Sequence, residues 1–128
     1  MTKGREGYEI LLDATILLVY LINKNSDILY GILPRPFMRN HFNDLLAGCL
    51  FPSYVNIVLR TARFDYQIDS LLSVLITEMV CSLFWEVLAP LYLARSTCDP
   101  IDVICYILGG MLYLMFILIV SNRRDCQQ

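Results

Sequence analysis

The sequence predicts an all-α integral membrane protein, a four-helix transmembrane bundle with a short interfacial segment after the first helix. Three observations predict it. Of 128 residues, 57% are hydrophobic, against roughly 45–50% in a soluble domain. Only 17% are charged, against roughly 25%. Those charges collect between long apolar runs, and a bilayer needs about 20 apolar residues per helix. The chain therefore has room for about four spans in one transmembrane domain, 1–128.

The first span is expected at 8–22. It carries Asp13 and is broken by Asn23-Lys24-Asn25-Ser26-Asp27. Lys3 and Arg5 precede it, as in a signal peptide. Glu9 and Asp13 interrupt it and no small-residue cleavage site follows, so it reads as a retained span. The apolar stretch 28–33 is too short to cross. It is expected in the interface or as an extension of the first helix. Pro34-Arg35-Pro36 ends any helix there.

The second span is expected at 40–59, with Asn40 as its cap and Arg60 and Arg63 after it. The third, at 70–94, contains Glu78, Glu86 and Pro90. The fourth, at 101–120, is apolar except for Asp102 and stops at Ser121-Asn122-Arg123-Arg124. Asp99-Pro100 is a strong helix start, with Asp as N-cap and Pro at the first helical position.

Basic residues set the expected orientation. Lys3, Arg5, Arg60, Arg63, Arg123 and Arg124 fall on one side; Lys24, Arg35, Arg39 and Arg95 fall on the other. The excess predicts both termini inside. A net charge of −2 and the absence of any lysine tract give no nucleic-acid partner. The five cysteines form no CxxC pair, so they read as small apolar packing residues.

Helical spacing puts His41, Asp44, Gly48, Pro52 and Asn56 on one face of the second span. The third span aligns Glu78, Ser82 and Glu86. The fourth aligns Asp99, Asp102, Tyr106, Gly109 or Gly110, and Tyr113. In lipid these polar and small stripes turn inward, and Gly109-Gly110 reads as a close helix contact. His41, Asp44, Glu86, Asp99 and Asp102 are thus the candidate ligand-binding residues, all expected in one outward-facing cavity. Capping accounts for Asp99 and partly for Asp102. It offers nothing for Glu86, which would be protonated, paired with Arg95, Arg39 or His41, or bound to a cation. Glu78 lies deeper, protonated or hydrogen-bonded across helices. Asp13 would meet a polar group near the inner face.

No HExxH, GxSxG or phosphate-binding glycine loop is present, so no catalytic residue is assigned and an enzyme is not the favoured reading. No cofactor or dedicated metal site is expected, although carboxylate oxygens at this cluster allow a divalent cation.

His41 and Asp44 opening one span, Glu86 late in the next, and Asp99-x-x-Asp102 with Gly109 and Gly110 in the last resemble the VanZ-like family of small bacterial membrane proteins. The similarity covers roughly positions 35–115. Ala89 and Pro90 stand where members often have a glutamine, and Tyr106 where they often have an asparagine, so the resemblance is to a divergent relative. It implies a multi-pass protein of the bacterial cytoplasmic membrane. Some members are linked to lowered susceptibility to glycopeptide or lipoglycopeptide antibiotics.

The expected function is recognition, without turnover, of a lipid headgroup, cell-wall precursor or cationic ligand at a cell-envelope site. Its partners would be membrane lipids, a lipid-linked ligand and, as an option, further copies of the chain. One alternative is a structural or assembly subunit whose polar stripes serve only packing. The other is an intramembrane enzyme on a lipid-linked substrate, with His41 or Glu86 as acid/base and Asp99 and Asp102 orienting substrate.

Overall fold

The computed structural model describes residues 3–32, 34–93 and 99–126. It is all-helical among these residues. Helix α1 is Lys3–Asn25, followed by a 3-10 turn at Ile28–Gly31; α2 is Arg35–Asn40, α3 Phe42–Thr61 and α4 Leu71–Leu83. A π-helical turn at Phe84–Leu88 joins α4 to α5, Ala89–Tyr92, and α6 is Pro100–Asp125.

Three helical stretches are long and apolar enough to cross a membrane: Phe42–Thr61, Leu71–Tyr92 and Pro100–Arg123. α1 has the length, but even its stretch 8–25 contains Glu9, Asp13 and Lys24. The burial pattern suits a lipid surround. Leu11, Leu18, Ile76, Val80, Leu112 and Leu118 are exposed, whereas Glu9, Asn56, Ser53 and Glu78 are fully buried. In water this distribution would be inverted. In hydrocarbon, apolar faces cost nothing outside and polar groups must find partners inside.

The two central helices are α3 and α6, packed in parallel. Tyr106 meets Asp44 near their starts and Tyr113 meets Asn56 a few turns on. α1 runs antiparallel along α3, with Asn23 donating to Asn43 at one end and Glu9 held by Arg60 at the other. α4 runs antiparallel along α6, where Glu78 lies against Gly110 and Glu86 against Asp99. The central contact is close because of two glycines. A Cβ on Gly109 would sit 2.6 Å from the Cys49 amide nitrogen, and one on Gly48 would sit 2.7 Å from the Tyr106 Cα. The expected Gly109-Gly110 contact is therefore divided: Gly109 and Gly48 join α3 to α6, and Gly110 admits Val74 and Glu78 of α4.

Local sequence explains most boundaries. Ser70 caps α4, its hydroxyl accepting from the Ser73 amide (3.2 Å) while the Ser73 hydroxyl accepts from the Ser70 amide (3.1 Å). This reciprocal capping box satisfies two donors that helix geometry leaves free. α3 ends with Arg63 in the left-handed region (φ 62°), Phe64 N–H donating to Leu59 and Arg63 N–H to Arg60. That is a Schellman ending on a residue other than glycine.

Three boundaries differ from expectation. Pro34-Arg35-Pro36 starts a helix rather than only stopping one: Pro34 is the N-cap and Pro36 lies in the first turn of α2. Missing amide hydrogens cost nothing in a first turn. Asn40 does not cap the second span, because it ends α2. The chain passes into α3 through His41, whose side chain makes no cap bond and whose N–H is already taken by Phe37. The third span is not one regular α-helix. Pro90 lacks the N–H that would bond back to Glu86, and its ring crowds that carbonyl. The π turn sits immediately before it, with Ala89 N–H reaching Phe84. The end of the expected third span at 94, with Arg95 and Cys98, lies outside the described residues.

Candidate functional site

At the α3–α6 starts, His41 Nδ1 lies 2.6 Å from Asp102 Oδ1, and the two side chains are each only 18% exposed. Tyr106 donates its hydroxyl to Asp44 Oδ1 at 3.0 Å. His41, Asp44 and Asp102 each place one ligand atom within 4.8 Å of the others. Three separately predicted residues are therefore brought together. His41 is the residue joining α2 to α3, Asp44 lies in the first turn of α3, and Asp102 comes from the first turn of α6.

Glu86 and Asp99 join at the edge. The π turn puts Glu86 within electrostatic range of Asp44 and Tyr106. Its Oε2 accepts from the Asp99 amide at 3.2 Å. Asp99 is the cap of α6: its Oδ1 accepts from the Ile101 amide at 3.0 Å. In a capping box the third helical residue would return a bond to the cap's own N–H. Here that residue is Asp102, and Glu86 makes the bond instead. Asp102 is released to meet His41. Capping thus does account for part of Glu86, contrary to expectation, and the site depends on it.

The remaining residues fall elsewhere. Glu78 is fully buried on α4 beside Gly110 and Val74, and neither carboxyl oxygen has a hydrogen-bond partner among the described residues. Asp13 is half-buried on the side of α1 that faces the Ser53 side chain of α3. Neither belongs to the His41 cluster.

A second polar centre lies at the opposite end of the bundle, where the spacing of the later spans gives no hint of it. Glu9 is fully buried and accepts from the Tyr113 hydroxyl at 2.9 Å and from the Asn56 amide at 3.4 Å. Arg60 and Arg5 pair with it, the latter at 3.4 Å. Asn56 holds the loop before α4, donating to the Ile68 carbonyl at 2.9 Å and accepting from its N–H at 2.7 Å. The usable signal was Arg5, Glu9 and Asp13 at four-residue intervals on α1, facing a stripe that already contained Asn56. An isolated charge there would be excluded by burial cost; a carboxylate with two guanidinium partners and two neutral donors is not.

Chemically, the His41 end offers one imidazole and two or three carboxylates, all partly accessible. Such a donor set suits a divalent metal ion of intermediate hardness, or a cationic group on a larger ligand. It contains no aligned nucleophile and base, since the described hydroxyl in the cluster, Tyr106, donates to Asp44. No family model matches the chain, nor does any curated protein or solved structure.

Proposed function

We propose that this chain is a small four-span protein of the bacterial cytoplasmic membrane, VanZ-like, that recognises a cationic ligand at an outward-facing site made by His41, Asp44 and Asp102. Glu86 and Asp99 set the geometry of that site. The ligand is a divalent cation, free or carried by the phosphate of a lipid headgroup or cell-wall precursor. The observation that carries the reading is the convergence of three ligand groups from two helices within 4.8 Å. An ionisable residue in an apolar helix carries a large burial cost if it serves nothing.

α1 is the fourth span in this reading. It packs along α3, buries Ile16 and turns Glu9 inward to Arg60. Both termini lie in the cytoplasm, following the excess of basic residues.

Purified protein titrated with Mn²⁺ and followed by electron paramagnetic resonance tests the site. One saturable ion per chain is expected, with at least tenfold weaker binding in His41→Ala and Asp102→Asn. Repeating the titration with phosphatidylglycerol vesicles separates a free ion from one bridged to a headgroup. Equal binding by wild type and both variants sinks the reading. A structural subunit is then the better account, because the Asn56–Glu9–Tyr113 network packs the other end without any ligand. Topology is checked by thiol labelling of intact cells: Cys98 should react from outside and Cys126 should not.

A further inference from the structure

The contact between α1 and α3 is tied at both ends and open in its middle. At one end Asn23 donates to Asn43 at 3.1 Å; at the other Glu9 meets Asn56 and Arg60. Between the ties runs a trough, lined on one side by Ile16, Leu17 and Tyr20 and on the other by Asn43, Ala47 and Leu50. The α3 positions are four and three residues apart and make one stripe. The walls are almost wholly apolar, and the trough holds about 430 Å³ of empty space. It opens on the flank of the bundle, where Leu17 is 52% exposed. The stretch from Asn43 to Leu50 spans about 10 Å of helix. One leaflet supplies about 15 Å of the hydrocarbon core, so the trough stays within the depth of one leaflet's acyl chains. That volume over that length gives a cross-section of about 40 Å², half that of a helix about 10 Å across. A single extended chain fits; a helix from a second copy does not.

Positive charge gathers at the Asn43 end of this trough. Lys24, in the last turn of α1, lays its ammonium over the Tyr20 ring, 5.8 Å from the ring centre. Because Tyr20 lines the trough, the cation stands just beyond the apolar walls. Asn23 also donates to the Met38 carbonyl at 3.1 Å, which fixes α2 at the same end. With α2 come Arg35 and Arg39, both exposed. None of these three cations is in a salt bridge among the described residues, and Asp27, the acid close to Lys24 in sequence, is itself exposed. The carboxylates of the His41 site belong to another face of α3: Asp44 turns to Tyr106 of α6, whereas Asn43 and Ala47 turn to α1. A narrow apolar slot under an unneutralised basic rim has the shape and charge that an anionic lipid complements.

We propose that the α1–α3 trough binds an anionic glycerophospholipid, with one acyl chain in the trough and the phosphate on the Lys24 ammonium. The lysine stem follows the Tyr20 ring while its charge reaches the headgroup layer, where tyrosine and lysine both anchor helices. A zwitterionic lipid fills the slot equally well but brings no net charge to the rim, so the selectivity lies in Lys24, Arg35 and Arg39. The inference rests on α1 lying in the bilayer beside α3, as proposed above. It is independent of any cation at His41, Asp44 and Asp102.

The test uses the purified full chain in dodecylmaltoside micelles with EDTA, so that no divalent ion bridges lipid to the His41 site. The probe is phosphatidylglycerol with a diazirine in one acyl chain; after irradiation, peptide mass spectrometry locates the adducts. They should concentrate on the trough residues Leu17 and Leu50. Unlabelled phosphatidylglycerol should displace the probe at a concentration at least tenfold lower than phosphatidylethanolamine does. Lys24→Gln should cut that preference about fivefold, as expected for one basic residue at an anionic headgroup. Ala47→Leu, which fills the trough, should remove its adducts while leaving those on the exposed Leu18. Should Ala47→Leu misfold by circular dichroism, Leu17→Trp covers the trough from its exposed side and should give the same loss. Adducts spread evenly over all lipid-facing side chains, equal displacement by the two lipids, or undiminished trough labelling in a folded Ala47→Leu or Leu17→Trp variant overturns the proposal. So does elution as a dimer with the trough unlabelled. Adducts missing from Leu11 and Leu18 as well would place α1 outside the bilayer and remove the fourth-span reading together with this one. The Mn²⁺ titration reports on the His41 site separately.

Discussion

Replacing Asn56 by alanine should cost about 2–4 kcal/mol of bundle stability, on the scale of about 1–3 kcal/mol per buried group left unpaired. Asn56 is fully buried, and its amide serves both backbone groups of Ile68 as well as Tyr113 and Glu9. An amide has two N–H donors, so two of its three acceptors are satisfied at a time. Alanine strands the Ile68 N–H outright. The Ile68 carbonyl keeps two long contacts of 3.4 Å, from the Tyr113 hydroxyl and from the Arg5 guanidinium. Transmembrane hydrogen bonds average only about 0.6 kcal/mol when both sides can find new partners. The larger figure applies here because one partner is backbone, pinned between α3 and α4. Reversible unfolding in mixed dodecylmaltoside and dodecyl sulfate micelles, followed by circular dichroism, measures the loss. A double-mutant cycle with Tyr113→Phe should give a coupling of about 0.5–1.5 kcal/mol, as for neighbours in one network. A loss under about 0.5 kcal/mol, the range of ordinary surface substitutions, would refute the view that this amide holds the α3–α4 loop.

Gly109→Ala should destabilise by about 1–3 kcal/mol, the usual penalty for overpacking, because its new methyl would meet the Cys49 backbone at 2.6 Å. Gly110→Ala should cost less, since it meets the Glu78 and Val74 side chains, which can turn; equal losses in thermal melts would discard the distinction. Arg63→Gly should raise stability by up to about 1 kcal/mol, the relief of a left-handed backbone (about 1–2 kcal/mol) less glycine's greater unfolded-state freedom (about 0.4–1 kcal/mol), and an unchanged midpoint counts against strain there. Ser70→Ala should lower stability by about 1 kcal/mol through loss of the cap, with hydrogen exchange accelerated at the start of α4 but not in α6.

Much of this arrangement was legible because lipid simplifies the code. His41 with Asp44, and Asp102 with Tyr106, lie at helical intervals in otherwise apolar runs, so their faces follow from spacing alone. Which stripe meets which did not follow: spacing is silent on the partner, and Glu86 proved to serve the cap of α6. In the sequence Glu9 is an interruption of a weak span, because a lone carboxylate there is costly. Its two guanidinium partners lie far away in the chain or one turn earlier, and only the fold unites them. Pro90 signalled an irregularity, yet a kink, a stop and a π turn are all compatible with proline at that position. Asn40 was a plausible cap whose role disappeared once α2 formed ahead of it.

The parallel pairing of α3 with α6 carries a consequence for biosynthesis. The residues that zip this seam, Asp44 with Tyr106 and Asn56 with Tyr113, are 62 and 57 positions apart. A nascent chain that has delivered α3 and α4 to the insertion machinery still lacks the helix that covers Asp44 and Gly48. Until α6 emerges, those groups face lipid or the walls of the translocon. The half-made protein is therefore marked by its own polarity, and release into the bilayer is favoured only when the last helix arrives. Truncations that remove α6 should be retained by the insertion apparatus or degraded.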